Sequence, residues 1–176
     1  MKRSAAALAL ALLAAGCSTK RASAPVSPAP AVIITPAPGQ VMSPRTYVTT
    51  SSSFELLVLR ASELAESRSQ DPRVKAYASG ELDDHRGLSA QLSFAGRGLN
   101  LLPSRAMWKS HAQQLAELTA TSDFDAIYKK RMIDAHQHHL SLNRDVAQRG
   151  TSATLRPVAR NAAAVLARHL EQLRAL

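Results

Sequence analysis

From about residue 52 to its end, the chain places apolar side chains at helical intervals. In 74–92 they fall at Val74, Tyr77, Ala78, Leu82, Leu88 and Leu92, which at about 3.6 residues per turn share one face. The preceding stretch, about 52–69, carries Phe54, Leu57, Val58, Ala61, Leu64 and Ala65 on one stripe, with Ser51, Ser52 and Ser53 available as N-caps. Asp71-Pro72 ends that helix and opens the next, Asp as cap and Pro in the first turn, so the two form an antiparallel hairpin. The second helix reaches Gly96 to Gly98. An apolar loop over 99–103 follows, and Ser104 caps a shorter helix running to about Leu118, with Met107, Trp108, His111, Leu115 and Leu118 near one face. Thr121-Ser122-Asp123 breaks it and caps a long helix over 124–149, striped by Phe124, Tyr128, Met132, Ala135, Leu142 and Val146 and ended by Gly150. Thr151-Ser152 opens a last helix along Leu155, Val158, Ala159, Ala162, Leu166, His169 and Leu173, with Pro157 early enough to be tolerated. No strand pattern appears. The fold class is all-α: a four-helix bundle over 51–176 with one short extra crossing helix.

The first fifty residues follow different rules. Lys2 and Arg3 precede an eleven-residue apolar run over 5–15, too short to span a bilayer and laid out as a secretory signal peptide over 1–16. The run closes on Leu13-Ala14-Ala15-Gly16-Cys17, which resembles a bacterial lipobox. Cys17 is the chain's single cysteine, so it can form no internal disulfide, and lipidation accounts for its position. Ser18 follows it; an Asp there resembles an inner-membrane retention signal, and its absence favours the outer membrane, with the domain facing the periplasm. Six of the nine prolines, Pro25, Pro28, Pro30, Pro36, Pro38 and Pro44, make 17–50 a stiff, extended Pro/Ala/Ser-rich linker, broken only by the apolar patch Val32-Ile33-Ile34.

Charge alters this picture little. Lys and Arg outnumber Asp and Glu by 22 to 13. The basic residues are dispersed rather than blocked, and few aromatics are available for stacking. A nucleic-acid partner is therefore not expected; anionic components of the envelope are the plainer partners for the charge.

The chemistry lies in the histidines. Glu81 and His85 fall one turn apart on the apolar face of the second helix, His139 near the centre of the long helix's face with His136 on its flank, and His169 on the last stripe. Each inward imidazole taken alone is satisfied by a core partner: His85 by Glu81, His169 by Tyr77 or Tyr128. Taken together, His85, His136, His169 and Glu81 supply the nitrogen and oxygen donors that Zn²⁺, Cu²⁺ or Fe²⁺ accepts, and bundle interiors are where such sites are built. His136 and His169 lie at similar distances on either side of the turn near Gly150, which sets them at one level. Asp84, Tyr128 and His139 stand around this set as supporting residues, although Asp84 also suits a surface salt bridge. His111 and His138 are expected at the surface.

Several motifs then resemble the bacterial exported domain-of-unknown-function 4142 family. They are Leu64-Ala65 before Asp71-Pro72-Arg73-Val74-Lys75-Ala76-Tyr77-Ala78; Asp83-Asp84-His85; the loop Gly98-Leu99-Asn100-Leu101-Leu102-Pro103; Phe124-Asp125 with Tyr128, Met132 and His136; and Arg168-His169-Leu170. The resemblance covers about 54–176. It implies a ferritin-like fold and an envelope location, places His85, His136 and His169 on recurrent histidines and Asp84 on a recurrent Asp, and implies no settled activity. The family often carries Glu where this chain has Val58, and usually Met where it has Glu81, so Glu81 is expected to replace a carboxylate missing from the first helix. Two functions follow: a lipid-anchored periplasmic bundle binding one transition metal ion, or a structural bundle whose histidines are satisfied internally. An enzyme is not expected. Ferritin-like di-iron sites use Glu-x-x-His pairs, and this chain has none.

Overall fold

The structure is a computed structural model that describes residues 40–176. The signal segment, Cys17, the linker as far as residue 39 and the patch at Val32 lie outside the described residues.

Five helices follow one another: α1 (Pro44–Arg68), α2 (Pro72–Gly98), α3 (Lys109–Ala120), α4 (Phe124–Arg149) and α5 (Leu155–Ala175). There is no strand among the described residues, and no helix among them is long and apolar enough to cross a membrane. α1 packs on α2, α2 on α5, α5 on α4 and α4 back on α1, closing a ring of four, with α3 laid against α1 and α4. Cross-helix contacts give the directions. Tyr47 reaches Asn143 while Ser62 reaches Tyr128, so α1 and α4 are antiparallel. Asp84 meets His169 while Gln91 meets Asn161, so α2 and α5 are antiparallel as well. Each helix thus runs against both neighbours. The chain passes from α2 to the diagonally opposite α4 through α3, the long crossover that distinguishes ferritin-like bundles from simple up-and-down ones.

The α1–α2 hairpin is capped as expected: Asp71 accepts from the Arg73 backbone N–H at 2.8 Å, and Pro72 takes the first helical position. The loop after α2 requires Gly96. A Cβ there would lie 2.2 Å from the Leu101 carbonyl oxygen, and Asn100 takes the left-handed conformation that completes the turn.

Two helix starts differ from those the sequence predicts, each for a physical reason. α1 begins at Pro44 rather than near Ser52, so the helix takes in the end of the expected linker. Ser43 caps it, Pro44 stands where a missing N–H costs nothing, and Tyr47 and Val48 are buried. The Ser/Thr-rich run imitates a linker, but Thr49, Thr50 and Ser52 return their hydroxyls to carbonyls one turn earlier. Ser52 and Ser53 cap nothing; they lie mid-helix and accept from the backbone N–H of Ser104 and Trp108, fastening the crossover to α1. α3 accordingly starts at Lys109, Ser104 serving only a local turn with Ala106. Ser152 does open α5 as expected, accepting from the Leu155 N–H, whereas Asp123 makes no side-chain cap to α4.

One apolar cluster runs along most of the bundle through Phe54, Leu57, Val58, Ala61, Tyr128, Met132, Leu166 and Leu173. A second, of Met42, Tyr47, Val48, Leu92, Val146 and Leu155, seals the end near the α4–α5 turn. Burying large side chains of this kind stabilises by roughly 1.5–3 kcal/mol each. That apolar packing offsets the cost of the polar group enclosed beside it.

Candidate metal centre

α2, α4 and α5 bring Glu81, His85, His136 and His169 together inside the bundle. All four are buried, and one ligand atom from each lies within 4.8 Å of all the others. The imidazole centres form a nearly equilateral triangle: 5.5 Å from His85 to His136, 5.3 Å from His85 to His169 and 5.7 Å from His136 to His169. An ion held about 2.0–2.1 Å from each nitrogen sets ring centres roughly 5–6.5 Å apart, so the triangle has the dimensions of a three-histidine site.

Each ring is held by one nitrogen only. His85 Nδ1 lies 2.8 Å from Glu55 Oε2, His136 Nδ1 is 2.8 Å from the Met132 carbonyl oxygen, and His169 Nε2 is 2.9 Å from Asp84 Oδ2. All three partners accept, so these nitrogens carry the protons and donate. The other three nitrogens, His85 Nε2, His136 Nε2 and His169 Nδ1, are buried with no hydrogen bond. Buried polar atoms are rarely left so, because each costs roughly 1–3 kcal/mol. Metal-ligating histidines show this same division, one nitrogen fixed by a carboxylate or carbonyl and the other bare.

Glu81 completes the set. Its Oε2 accepts from Ser62 at 2.8 Å and from Tyr128 at 2.9 Å, while Oε1 accepts from Tyr77 at 2.5 Å and turns towards the imidazoles. His136 Nε2 lies 2.9 Å from that Oε1. With Nδ1 donating to Met132, the two facing atoms are both lone-pair acceptors, and they repel unless a proton or a cation lies between them. Full burial pushes the Glu81 carboxyl up, but His136 and His85, when they carry the proton, together with the Tyr77 hydroxyl, outweigh it and hold its pKa down to about 2. Burial together with the Glu81 charge drives the Tyr77 and Tyr128 phenols far up, so both remain donors. Burial pushes His85 down, and the Glu55 carboxylate more than reverses it. Burial keeps His169 low, partly offset by Asp84.

Most of the expected site residues are here. Tyr128 supports Glu81, and Asp84 holds His169 while also pairing with Arg168 at 2.7 Å. His85 pairs with Glu55 rather than Glu81, and the His169 and Tyr77 rings meet in a T-shaped contact at 6.0 Å instead of a hydrogen bond. His139 is a correction. It is buried but bonds to no member of the group, stacking at 3.7 Å on Phe54, which separates it from the centre. His111, expected at the surface, is buried against Ser53, whereas His138 is exposed as expected. Glu55 was missed. α1 does contribute a carboxylate, one turn before Val58, but it holds His85 from outside the donor set, in which Glu81 is the carboxylate. The available signal was that Glu55 is the lone charged residue between Arg45 and Arg60.

The fold is similar to two solved structures. "CopM in the Cu(II)-bound form" has a TM-score of 0.67 and 13% identity over 77% of this chain and 96% of that one. "CopM in the Cu(I)-bound form" has a TM-score of 0.64 and 11% identity over 76% of this chain and 94% of that one. No curated protein matches the chain. Residues 31–176 match the model of a family described as "Domain of unknown function (DUF4142)".

Proposed function

The chain belongs to the DUF4142 family, and on that premise we propose that it is a lipid-anchored, metal-binding bundle of the cell envelope. It holds one transition metal ion through His85 Nε2, His136 Nε2, His169 Nδ1 and Glu81 Oε1. One observation carries this reading: three buried imidazoles are each fixed by one nitrogen and leave the other without a hydrogen bond, clustered with the Glu81 carboxylate, whose Oε1 lies 2.9 Å from His136 Nε2 and 3.8 Å from His169 Nδ1. A divalent cation there would neutralise Glu81 and relieve the lone-pair conflict with His136. Among first-row divalent ions a nitrogen-rich set binds Cu²⁺ most tightly, and the similar CopM structures carry copper in both oxidation states. Copper is therefore the first candidate and zinc its competitor.

The lipid on Cys17 would hold the domain at the outer membrane, facing the periplasm, and the basic balance of the chain would favour anionic envelope components as neighbours. The role is binding, not catalysis; the donor set lacks the paired Glu-x-x-His of di-iron oxidases. One observation favours a second reading. At 2.9 Å a proton on His136 would satisfy Glu81 as an internal ion pair, leaving a structural bundle.

Titration of the full chain in detergent with Cu²⁺ or Zn²⁺, followed by gel filtration and elemental analysis, separates the two. Metal retained by the protein and reduced by one equivalent in a His85→Ala/His169→Ala variant supports the metal centre. Retention identical in the variant and the native chain leaves the structural reading.

A further inference from the structure

The two ends of the bundle differ in charge and in what they leave exposed. α1 and α5 begin, and α2 and α4 end, at the end sealed by Met42, Tyr47, Leu92, Val146 and Leu155. The described chain also begins there, at residue 40. We propose that this end is a membrane-docking face, on which exposed apolar side chains enter the lipid interface and arginines meet anionic phospholipid headgroups. Docking builds on the lipid proposed at Cys17, which brings the domain to a membrane, and is indifferent to metal at the buried centre.

Charge is the first observation. The half of the bundle towards this end, residues 40–56, 86–108 and 138–164, carries eight arginines, all exposed. Its acids are two: Glu55, buried against His85, and Asp145, already paired with Arg149. The other half, 57–85, 109–137 and 165–176, holds eleven acids against ten basic residues. The positive balance of the described residues therefore resides at one end. Helix energetics account for only part of it. The C-terminal ends of α2 and α4 favour cations, which suits Arg97 and Arg149. The N-terminal ends of α1 and α5 favour acids, yet their first turns hold Arg45 and Arg156 and no acid. Arginine stands there against the helix's own preference, which points to an anion outside the bundle.

The apolar side chains are the second observation. Val41, Phe94 and Leu102 are the large apolar side chains exposed among the described residues, Phe94 at 77% and Leu102 at 73%. All three belong to this half. Val41 precedes α1, Phe94 lies near the end of α2, and Leu102 is in the loop whose Leu99 and Leu101 pack on the sealing cluster. A single exposed apolar side chain is ordinary. Three at one end, two of them interspersed with Arg97 and Arg105, make the pairing of apolar and basic groups that binds an anionic lipid interface. No acid occurs between Asp84 and Glu117, so this stretch carries nothing to repel such a surface. The tether agrees. Even fully extended, residues 17–39 would keep this end within about 8 nm of a lipid on Cys17, and none of them is acidic.

Phe94→Trp places a fluorophore on the face, and Gln70→Trp places one in the exposed α1–α2 turn at the opposite end; Trp108 is buried and supplies a constant background. Full chains are reconstituted in vesicles of phosphatidylcholine, alone or mixed with phosphatidylglycerol, with brominated acyl chains as quenchers. Mass spectrometry reads the lipid on Cys17. Expected are a blue shift and quenching at position 94 in the phosphatidylglycerol vesicles, lost at high salt, with position 70 silent. Each arginine close to an anionic leaflet favours the bound state roughly fivefold, so Arg97→Gln/Arg105→Gln, at exposed positions, should weaken docking by about tenfold or more. A silent position 94 on a lipidated chain overturns the docking face and leaves the anchor. A shift at position 94 on a chain without lipid removes the anchor and leaves the face. An equal shift in both vesicle types, unmoved by the arginine variant, overturns the anionic partner. A shift that appears without vesicles and grows with protein concentration assigns the face to a second copy of the chain and overturns the membrane.

Discussion

Glu55 offers a sharp test of how the centre is held together, because it touches no bare donor atom yet fixes one of the ligands. Its Oε2 accepts from His85 Nδ1 at 2.8 Å, and both side chains are buried. Glu55→Ala leaves that N–H unpaired in a dry environment, a cost of about 1–3 kcal/mol to the metal-free fold. It also frees the His85 ring to rotate and lowers the basicity of Nε2. Loss of a partner of this kind typically weakens metal affinity 10–100-fold, or about 1.4–2.8 kcal/mol. Glu55→Gln keeps an oxygen acceptor at the same place and should recover most of the orientation without the charge. Affinity is read by competition with a chelator of known strength, and stability by urea unfolding of metal-free protein. The expected order of affinity is native, then Gln, then Ala. Equal affinity in all three would refute the claim that Glu55 positions His85, and equal stability would refute the buried hydrogen bond itself.

Other perturbations probe the scaffold. Phe54→Ala, at a fully buried ring between the two histidine groups, should cost about 3–5 kcal/mol in urea unfolding. Gly96→Ala should cost about 1–3 kcal/mol, because its Cβ would meet the Leu101 carbonyl backbone rather than a movable side chain. Arg68 donates to the carbonyls of Leu118, Thr119 and Thr121 and lies over the Phe124 ring, so Arg68→Ala should destabilise by about 1.5–3 kcal/mol and fray the end of α3 in hydrogen exchange. Metal-free protein should lose stability as pH falls below about 6.5. His139 is held neutral by burial with its folded pKa far below the unfolded value, so the unfolded chain takes up the proton first, at a loss of up to about 1.4 kcal/mol per pH unit. His139→Phe should flatten that part of the profile, and an unchanged slope would show that His139 does not carry it. Glu81 acts lower: its contribution is complete above the usual carboxylate pKa and is lost as pH falls towards about 2.

The helical stripes were legible because side-chain direction along a helix is a local property. Glu81, His85, His136 and His169 could be placed inside, and His136 and His169 at one level, from spacing and a turn position alone. What spacing could not resolve was partner choice across helices. Glu55 sits between Phe54 and Leu57 and reads as a charge at the edge of a stripe; only the packing of α1 on α2 shows that it faces His85. His139 lies closer to the apolar centre of α4 than His136 does, yet Phe54 stacks on it and separates it from the buried group. The early start of α1 was hidden by composition, since hydroxyl-to-carbonyl bonds inside a helix leave no mark in a Ser/Thr-rich sequence.

Anomalous diffraction at the copper edge, from crystals grown with Cu²⁺, locates the ion itself. A peak is expected inside the bundle about 2 Å from His85 Nε2, His136 Nε2 and His169 Nδ1, with Glu81 Oε1 as the fourth donor. Crystals that contain copper elsewhere, while those three nitrogens remain bare and Glu81 stays paired with His136, would contradict it.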